Sequence, residues 1–260
     1  MDFSIELKKY QQYILFPDVR LLGTYSTERL SSTKKVKCPW GGLKTNPNDP
    51  GHKNGGLFTR HGFKYPNGVI HVGMWKFEES EDYEYLVGKN VIGIEANPDV
   101  YKNFSKVTSD LYGFKSFNFA ASDINDDYVV LFCNPFRQDT GTICASSLSD
   151  DGEYEIKKVK TKTLDTFVGE ININITDFNF LNIDVEGAEY KVLKGFSKNL
   201  KNIDYIILET SINDKFGNNQ DLDTIHPFLK DHGFEIKEMD GNFIHEGWGD
   251  VFFARVTKSN

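Results

Sequence analysis

The stretch FNFLNIDVEGAEYKVLKGF, Phe178 to Phe196, decides the fold. It opens with Phe178, Phe180, Leu181 and Ile183, an apolar run too short for a membrane span and suited to a buried strand. Two acids, Asp184 and Glu186, follow at once, and then Gly187. Beyond the glycine, Ala188, Val192, Leu193 and Phe196 recur at helical spacing, which predicts a helix beginning near Gly187 and running from Ala188 to Leu200. The carboxyl end of a parallel strand faces the crevice where open α/β sheets bind ligands. Asp184 and Glu186 are therefore candidate ligand groups, and capping of the following helix is the other use for either acid.

Working outward, the same alternation recurs on both sides. VIHVG (Val69 to Gly73) reads as a short buried strand ending in glycine, and Glu78 to Val87 as an acidic helix. NVIGIEANP (Asn90 to Pro98) reads as a second strand ending in Glu95, with Pro98 opening a helix. A third strand, Lys115 to Ala120, leads into AASD at Ala120 to Asp123. On the far side, IDYIILET (Ile203 to Thr210) is a strand ending in Glu209, followed by a helix over Leu222 to His232 and a strand over Phe234 to Lys237. Asp250 to Val256 reads as a last strand, returning antiparallel after Gly247-Trp248-Gly249. Alternating strands and helices predict a mostly parallel sheet with right-handed crossovers. The middle, Tyr128 to Phe167, breaks the rhythm and reads as a β-rich insertion or edge region, with the lysine run at Lys157 to Lys162 as an exposed edge.

Residues 1–65 differ from the rest. Ser4 to Phe16 can form a short amphipathic helix, and the turn-rich CPWGGLKTNPNDPGHKNGG denies regular structure. Trp40, Phe58, Arg60 and His61 supply contact groups, so this part is expected to be an extension acting as a lid or substrate cap, with the principal domain over 66–260. The chain has 260 residues, 39% of them hydrophobic, and a formal net charge of −8. That charge argues against a dedicated nucleic-acid or anionic-membrane surface. The three cysteines show no CxxC spacing, and no window is apolar enough to span a bilayer. A cytoplasmic protein is the expectation. Its oligomeric state is not legible.

Gly73, Glu95, AASD, Asp184 and Glu209 collect at predicted strand ends. Gly73 lets a ligand approach the backbone, and Glu95, 22 residues on, can accept hydrogen bonds from both hydroxyls of a ribose. The pair implies an adenosine-containing cofactor. The later glycines of a dinucleotide loop are replaced by Trp75 and Phe77, which argues against a pyrophosphate and favours S-adenosylmethionine. Its carboxylate can sit near the helix N-terminus or on Lys76.

VIHVGMWKFEE, VIGIEANP, FAASD, TKTLDTF, FLNIDVEGAEYKVLKG and GWGDVFF, in this order, resemble the FkbM family of S-adenosylmethionine-dependent methyltransferases over about residues 66–256. The resemblance implies a class I methyltransferase sheet of seven strands, Rossmann-like, mostly parallel, with the last strand antiparallel. It also implies O-methylation of a sugar, glycan or other small-molecule hydroxyl. It places His71 and Gly73 in the first cofactor motif and Glu95 on a cofactor position. Ala121, Ser122 and Asp123 fall beside the adenine, and Asp184 falls near the methyl group. Many members carry a polar residue and a glycine where this chain has Trp75 and Phe77.

An aliphatic hydroxyl is a poor nucleophile, so a base or a metal is expected to assist. Asp184 is the first candidate base and His245 the second. Asp184 and Glu209, with Glu186 beside them, are candidate ligands for Mg²⁺, since hard cations favour carboxylate oxygens. Two rival expectations stand beside this one: a cofactor-binding module of the same fold without transfer activity, and an RNA methyltransferase.

Overall fold

The computed structural model describes residues 10, 12, 55–133, 141–142, 154–212, 221–239, 243 and 246–256. Helix α1 (Gly55–His61) leads into β1 (Val69–Val72), α2 (Ser80–Val87), β2 (Val91–Glu95), α3 (Pro98–Tyr112) and β3 (Lys115–Asn118). A β-rich middle follows, with β4 (Ala120–Ala121), β5 (Tyr128–Cys133), β6 (Gly141–Thr142) and β7 (Glu155–Lys162). Then come α4 (Leu164–Glu170), β8 (Phe180–Ile183), α5 (Glu189–Gly195), β9 (Tyr205–Ser211), α6 (Leu222–Asp231), β10 (Phe234–Met239) and β11 (Trp248–Arg255).

The principal sheet has seven strands in the order β10-β11-β9-β8-β1-β2-β3. Strand β11 runs antiparallel to both β9 and β10, and β9-β8-β1-β2-β3 are parallel throughout. This is the expected class I arrangement. Strands β1, β2 and β8 are buried along their whole length, which is why they read as unbroken apolar runs. Alternate residues feed two layers. Ile70, Val72, Ile92, Ile94, Leu181 and Ile183 pack with α4, α5 and α6, while Val69, Val91 and Phe180 pack with α1 and α2 on the opposite face.

Three local differences from the sequence reading have physical causes. The predicted third strand divides, because Ala120 and Ala121 leave the principal sheet to pair with β7. The lysine run is not an edge: the smaller sheet has the order β4-β7-β5-β6, so β7 lies inside it. Its residues alternate, with Val159 and Thr161 buried and Lys158 and Lys160 exposed. Helix α5 stops at Gly195 rather than Leu200, where the backbone passes so close that a Cβ would fall 2.0 Å from the Ser122 carbonyl oxygen.

Of the amino-terminal part, α1 packs into the core. Phe58 is fully buried among Phe180, Tyr205 and Phe252, and Arg60 and His61 both reach Glu238, at 2.6 and 2.8 Å. Tyr10 is also buried and donates to Asp223 Oδ1 at 2.7 Å. The predicted helix over Ser4 to Phe16 otherwise lies outside the described residues, as does Trp40. No described helix is long and apolar enough to cross a membrane.

Candidate functional site

A cavity of about 300 Å³ opens at the carboxyl ends of β1, β2, β8 and β9, a size that suits a small-molecule site. It is lined by Val72, Gly73 and Ile94 of the principal sheet's strand ends and by Val129 and Leu131 of the smaller sheet. Glu95, Asn97 and Ser122 stand at one end, while Asp184, Glu186 and Glu209 stand at the other.

At the first end, Gly73 has φ +84°, and a Cβ there would fall 1.7 Å from the Asp184 carbonyl oxygen. No other residue fits this turn. Glu95 is buried and accepts from Trp75 N at 2.9 Å and Asn97 N at 2.6 Å, one bond to each carboxylate oxygen. Burial pushes its carboxyl up to about 7, against the N–H donors of Asn97, Trp75 and Ala96, which favour the ionised form. The carboxylate keeps acceptor capacity for a ribose hydroxyl. The turn that delivers Trp75 is left-handed at both bulky residues, Trp75 (φ +41°) and Phe77 (φ +57°). Phe77 points into the core, not the cavity. There it lies over Gly93, where a Cβ would be 2.5 Å from the ring. The glycine missing from the loop is thus matched by a glycine in β2.

At the other end, carboxylate oxygens of Asp184, Glu186 and Glu209 all lie within 4.8 Å of one another. Asp184 is open to the cavity, yet the protein crowded around the cleft strips it of bulk water, and its carboxyl is pushed upward. Glu209 is pushed the same way, first by burial, then by the charge of Asp184, to which it hydrogen bonds. Asp250, paired with Glu209 across β11 and β9, adds to the negative field on both. Three oxygens of this kind are a donor set that suits a hard divalent cation, and they equally face a cationic ligand group.

Gly73, Glu95, Ala121, Ser122, Asp184 and Glu209 thus come together around one cavity. Asp123 sits just outside its lining, its carboxylate held by Lys194 Nζ at 2.5 Å and by Ser122. Burial works against ionisation of Asp123, but the Lys194 ammonium prevails and holds its carboxyl below the usual range. His71 is buried in a network with Tyr83 Oη (3.3 Å), which accepts from Asn182 Nδ2 at 2.6 Å, and it does not line the cavity. Lys76 lies with its ammonium 4.1 Å above the Trp75 ring, and it too is absent from the lining. Trp248 begins β11 opposite Ser211. His245 lies outside the described residues.

Three residues escape the sequence reading. Asn97 lines the cavity, donates its N–H to Glu95 and caps α3 by accepting from Asp99 N. Its place directly before Pro98 is the available signal. Lys191 also lines the cavity, with no signal beyond its position one turn into α5. Glu189 is buried beneath the Asp184–Gly187 turn, accepting from Val185 N and Gly187 N. It is an acid that accepts from the backbone donors of that turn.

The strand order, the acid after β2 and the acids after β8 define a class I S-adenosylmethionine-dependent methyltransferase. The family model of the methyltransferase FkbM domain matches residues 67–236, and the chain belongs to that family. No curated protein matches the sequence. Among solved structures, the chain is similar to ribosomal protein L11 methylase from Lactobacillus delbrueckii subsp. bulgaricus, at 10% identity over 77% of this chain and 76% of that one, TM-score 0.42. It is also similar to Streptococcus pneumoniae Sp1610 in complex with S-adenosyl-L-methionine, at 16% identity over 75% and 70%, TM-score 0.40. A third is precorrin-6y C5,15-methyltransferase from Geobacter metallireducens GS-15, at 13% identity over 74% and 81%, TM-score 0.40.

Proposed function

We propose that this methyltransferase acts on a hydroxyl of a sugar, glycan or other small-molecule acceptor, in a cytoplasmic setting. The observation that carries the reading is a single cavity with an acceptor for ribose at one end and carboxylates at the other. Glu95 and Gly73 would hold the adenosyl part of S-adenosylmethionine, and Ser122 and Leu131 would border the base. When bound, the cofactor supplies an electrophilic methyl group on a cationic sulfur.

The chain's own residues do the rest. That Asp184 lines the cavity supports its carboxylate as the base that takes the proton of an acceptor hydroxyl as the oxygen attacks. Glu209, hydrogen bonded to Asp184, orients that carboxylate. The apolar lining of Val72 and Ile94 keeps bulk water from the reacting atoms, and most of the acceleration then comes from alignment. Asp184 and Glu209, with Glu186, would hold Mg²⁺ if the reaction uses one; the ion would lower the pKa of an acceptor hydroxyl.

A polyanionic RNA acceptor is disfavoured by the acids of this cavity and by the net charge of −8. A binding module without transfer chemistry is disfavoured by the way Gly93 accommodates Phe77, since the departure in the first loop leaves the cavity open. The test is a transfer screen with isotopically labelled S-adenosylmethionine against sugar, glycan, amine and RNA acceptors, with Mg²⁺ and with chelator. Label on a hydroxyl oxygen supports the reading, and loss of transfer in chelator supports the ion. Transfer confined to amine or RNA acceptors would overturn it.

A further inference from the structure

Glu186 occupies an unusual place in the acid end of the cavity. It is the residue in the Asp184–Gly187 turn whose side chain has a Cβ and whose φ is positive, at +54°. A left-handed conformation is costly for such a residue and persists only where its surroundings impose it. The N–H groups on either side of Glu186, those of Val185 and Gly187, both point at one atom, Glu189 Oε1, at 3.2 and 3.1 Å. Glu189 is only 1% exposed, and its second oxygen, Oε2, is buried with no hydrogen-bond partner among the described residues. The two amides that bracket Glu186, together with the N–H of Glu189 itself, hold this carboxyl group, and a buried acid with one orphaned oxygen is an expensive way to satisfy them.

We infer that Glu189 is a positioning residue. Its carboxylate locks Glu186 in the left-handed turn and so brings the Glu186 carboxylate beside Asp184 and Glu209. Without the clamp, the turn relaxes to a right-handed or extended backbone at Glu186, and the side chain swings away from the cluster. The consequence for function rests on the cofactor reading above. With the cationic sulfur toward this end, Glu186 favours S-adenosylmethionine over the neutral thioether product, S-adenosylhomocysteine, and Glu189 sustains that preference from below without touching either.

Two measurements on the full chain test this. Calorimetry with both compounds gives the ratio of their affinities. Glu186→Gln is expected to shrink the preference for S-adenosylmethionine by about tenfold, the effect of removing one nearby charge in a partly desolvated cleft. Glu189→Ala is expected to shrink it by a similar factor while S-adenosylhomocysteine affinity stays within about threefold, and Glu189→Gln, whose amide oxygen accepts the same two bonds, to restore it. An unchanged ratio in a folded Glu189→Ala protein overturns the inference. Failure of the unaltered chain to bind either compound would instead overturn the methyltransferase reading.

The second measurement needs no ligand. Thermal unfolding is compared for Glu189→Ala alone and in a Glu186→Gly background, where the left-handed turn costs nothing. The clamp predicts a large loss of Tm in the first and a much smaller one in the second. A Glu189→Ala protein that folds only when combined with Glu186→Gly supports the clamp. Equal losses in both backgrounds, or failure to fold in both, would mean that Glu189 serves the fold alone.

Discussion

At Glu95, burial pulls against the ribose contact proposed for it. Burial raises its carboxyl from 4.5 to about 7, so the folded chain holds a proton that the unfolded chain releases between those values. Stability therefore falls as pH rises through that window, and the full cost is present above it. Ribose hydroxyls donate, so they favour the ionised form. Affinity for S-adenosylhomocysteine is expected to rise about tenfold from pH 6 to pH 8, following the ionised fraction, and Glu95→Ala is expected to weaken binding and flatten the rise. Calorimetry across that range decides the matter, and a flat wild-type profile would remove Glu95 from the site. Asp184→Asn separates the other end: turnover is expected to fall by about a hundredfold or more with S-adenosylhomocysteine affinity little changed. Glu95, Gly73 and Asp184 are legible in the sequence because a strand end is marked by the acid or glycine that terminates an apolar run. Glu189 is not, since its use depends on where two amides point after the turn has formed.

At the scale of elements, the first loop and β2 form one packing unit. Phe77 fills the space a side chain at residue 93 would need. Gly93→Ala is expected to destabilise by about 1–3 kcal/mol through overpacking. Shortening the partner in Gly93→Ala/Phe77→Ala should recover part of that loss relative to the sum of the single changes, as read by denaturant unfolding. The strands are plain in the sequence, because burial on both faces leaves a continuous apolar signature. Helical spacing alone carries α5 too far, because the close passage of the Ser122 backbone over Gly195 involves residues over seventy positions apart. The smaller sheet is visible as an insertion, but its order is hidden for the same reason: whether β7 is an edge depends on pairing with Ala120 and Ala121, far upstream.

Across the whole molecule, the described end of the amino-terminal part, α1, belongs to the core. The expectation of a cap over residues 1–65 rests on their turn-rich composition, which masks the short helix at its end. Phe58→Ala is expected to cost about 3–5 kcal/mol, since a fully buried aromatic at the meeting of α1, β8, β9 and β11 is lost. Thermal unfolding checks it, and a loss under about 1 kcal/mol would mean that α1 can leave the sheet cheaply. We propose a lid role for the residues before Gly55: their removal is expected to impair acceptor use, and loss of folded protein, to which the buried Tyr10 would contribute, would show instead that they complete the core.

The absence of a side chain at residue 73 bears on how this scaffold can diversify. With the Asp184 carbonyl seated where a methyl group would otherwise stand, the Gly73 loop, which in the proposed reading would cradle the nucleoside, and the loop that carries the acids are in direct backbone contact. New acceptors cannot be accommodated by loosening that contact without losing the cofactor. They must be won at lining positions away from the nucleoside, such as Lys191 on α5, which can be exchanged while the joint beneath stays closed.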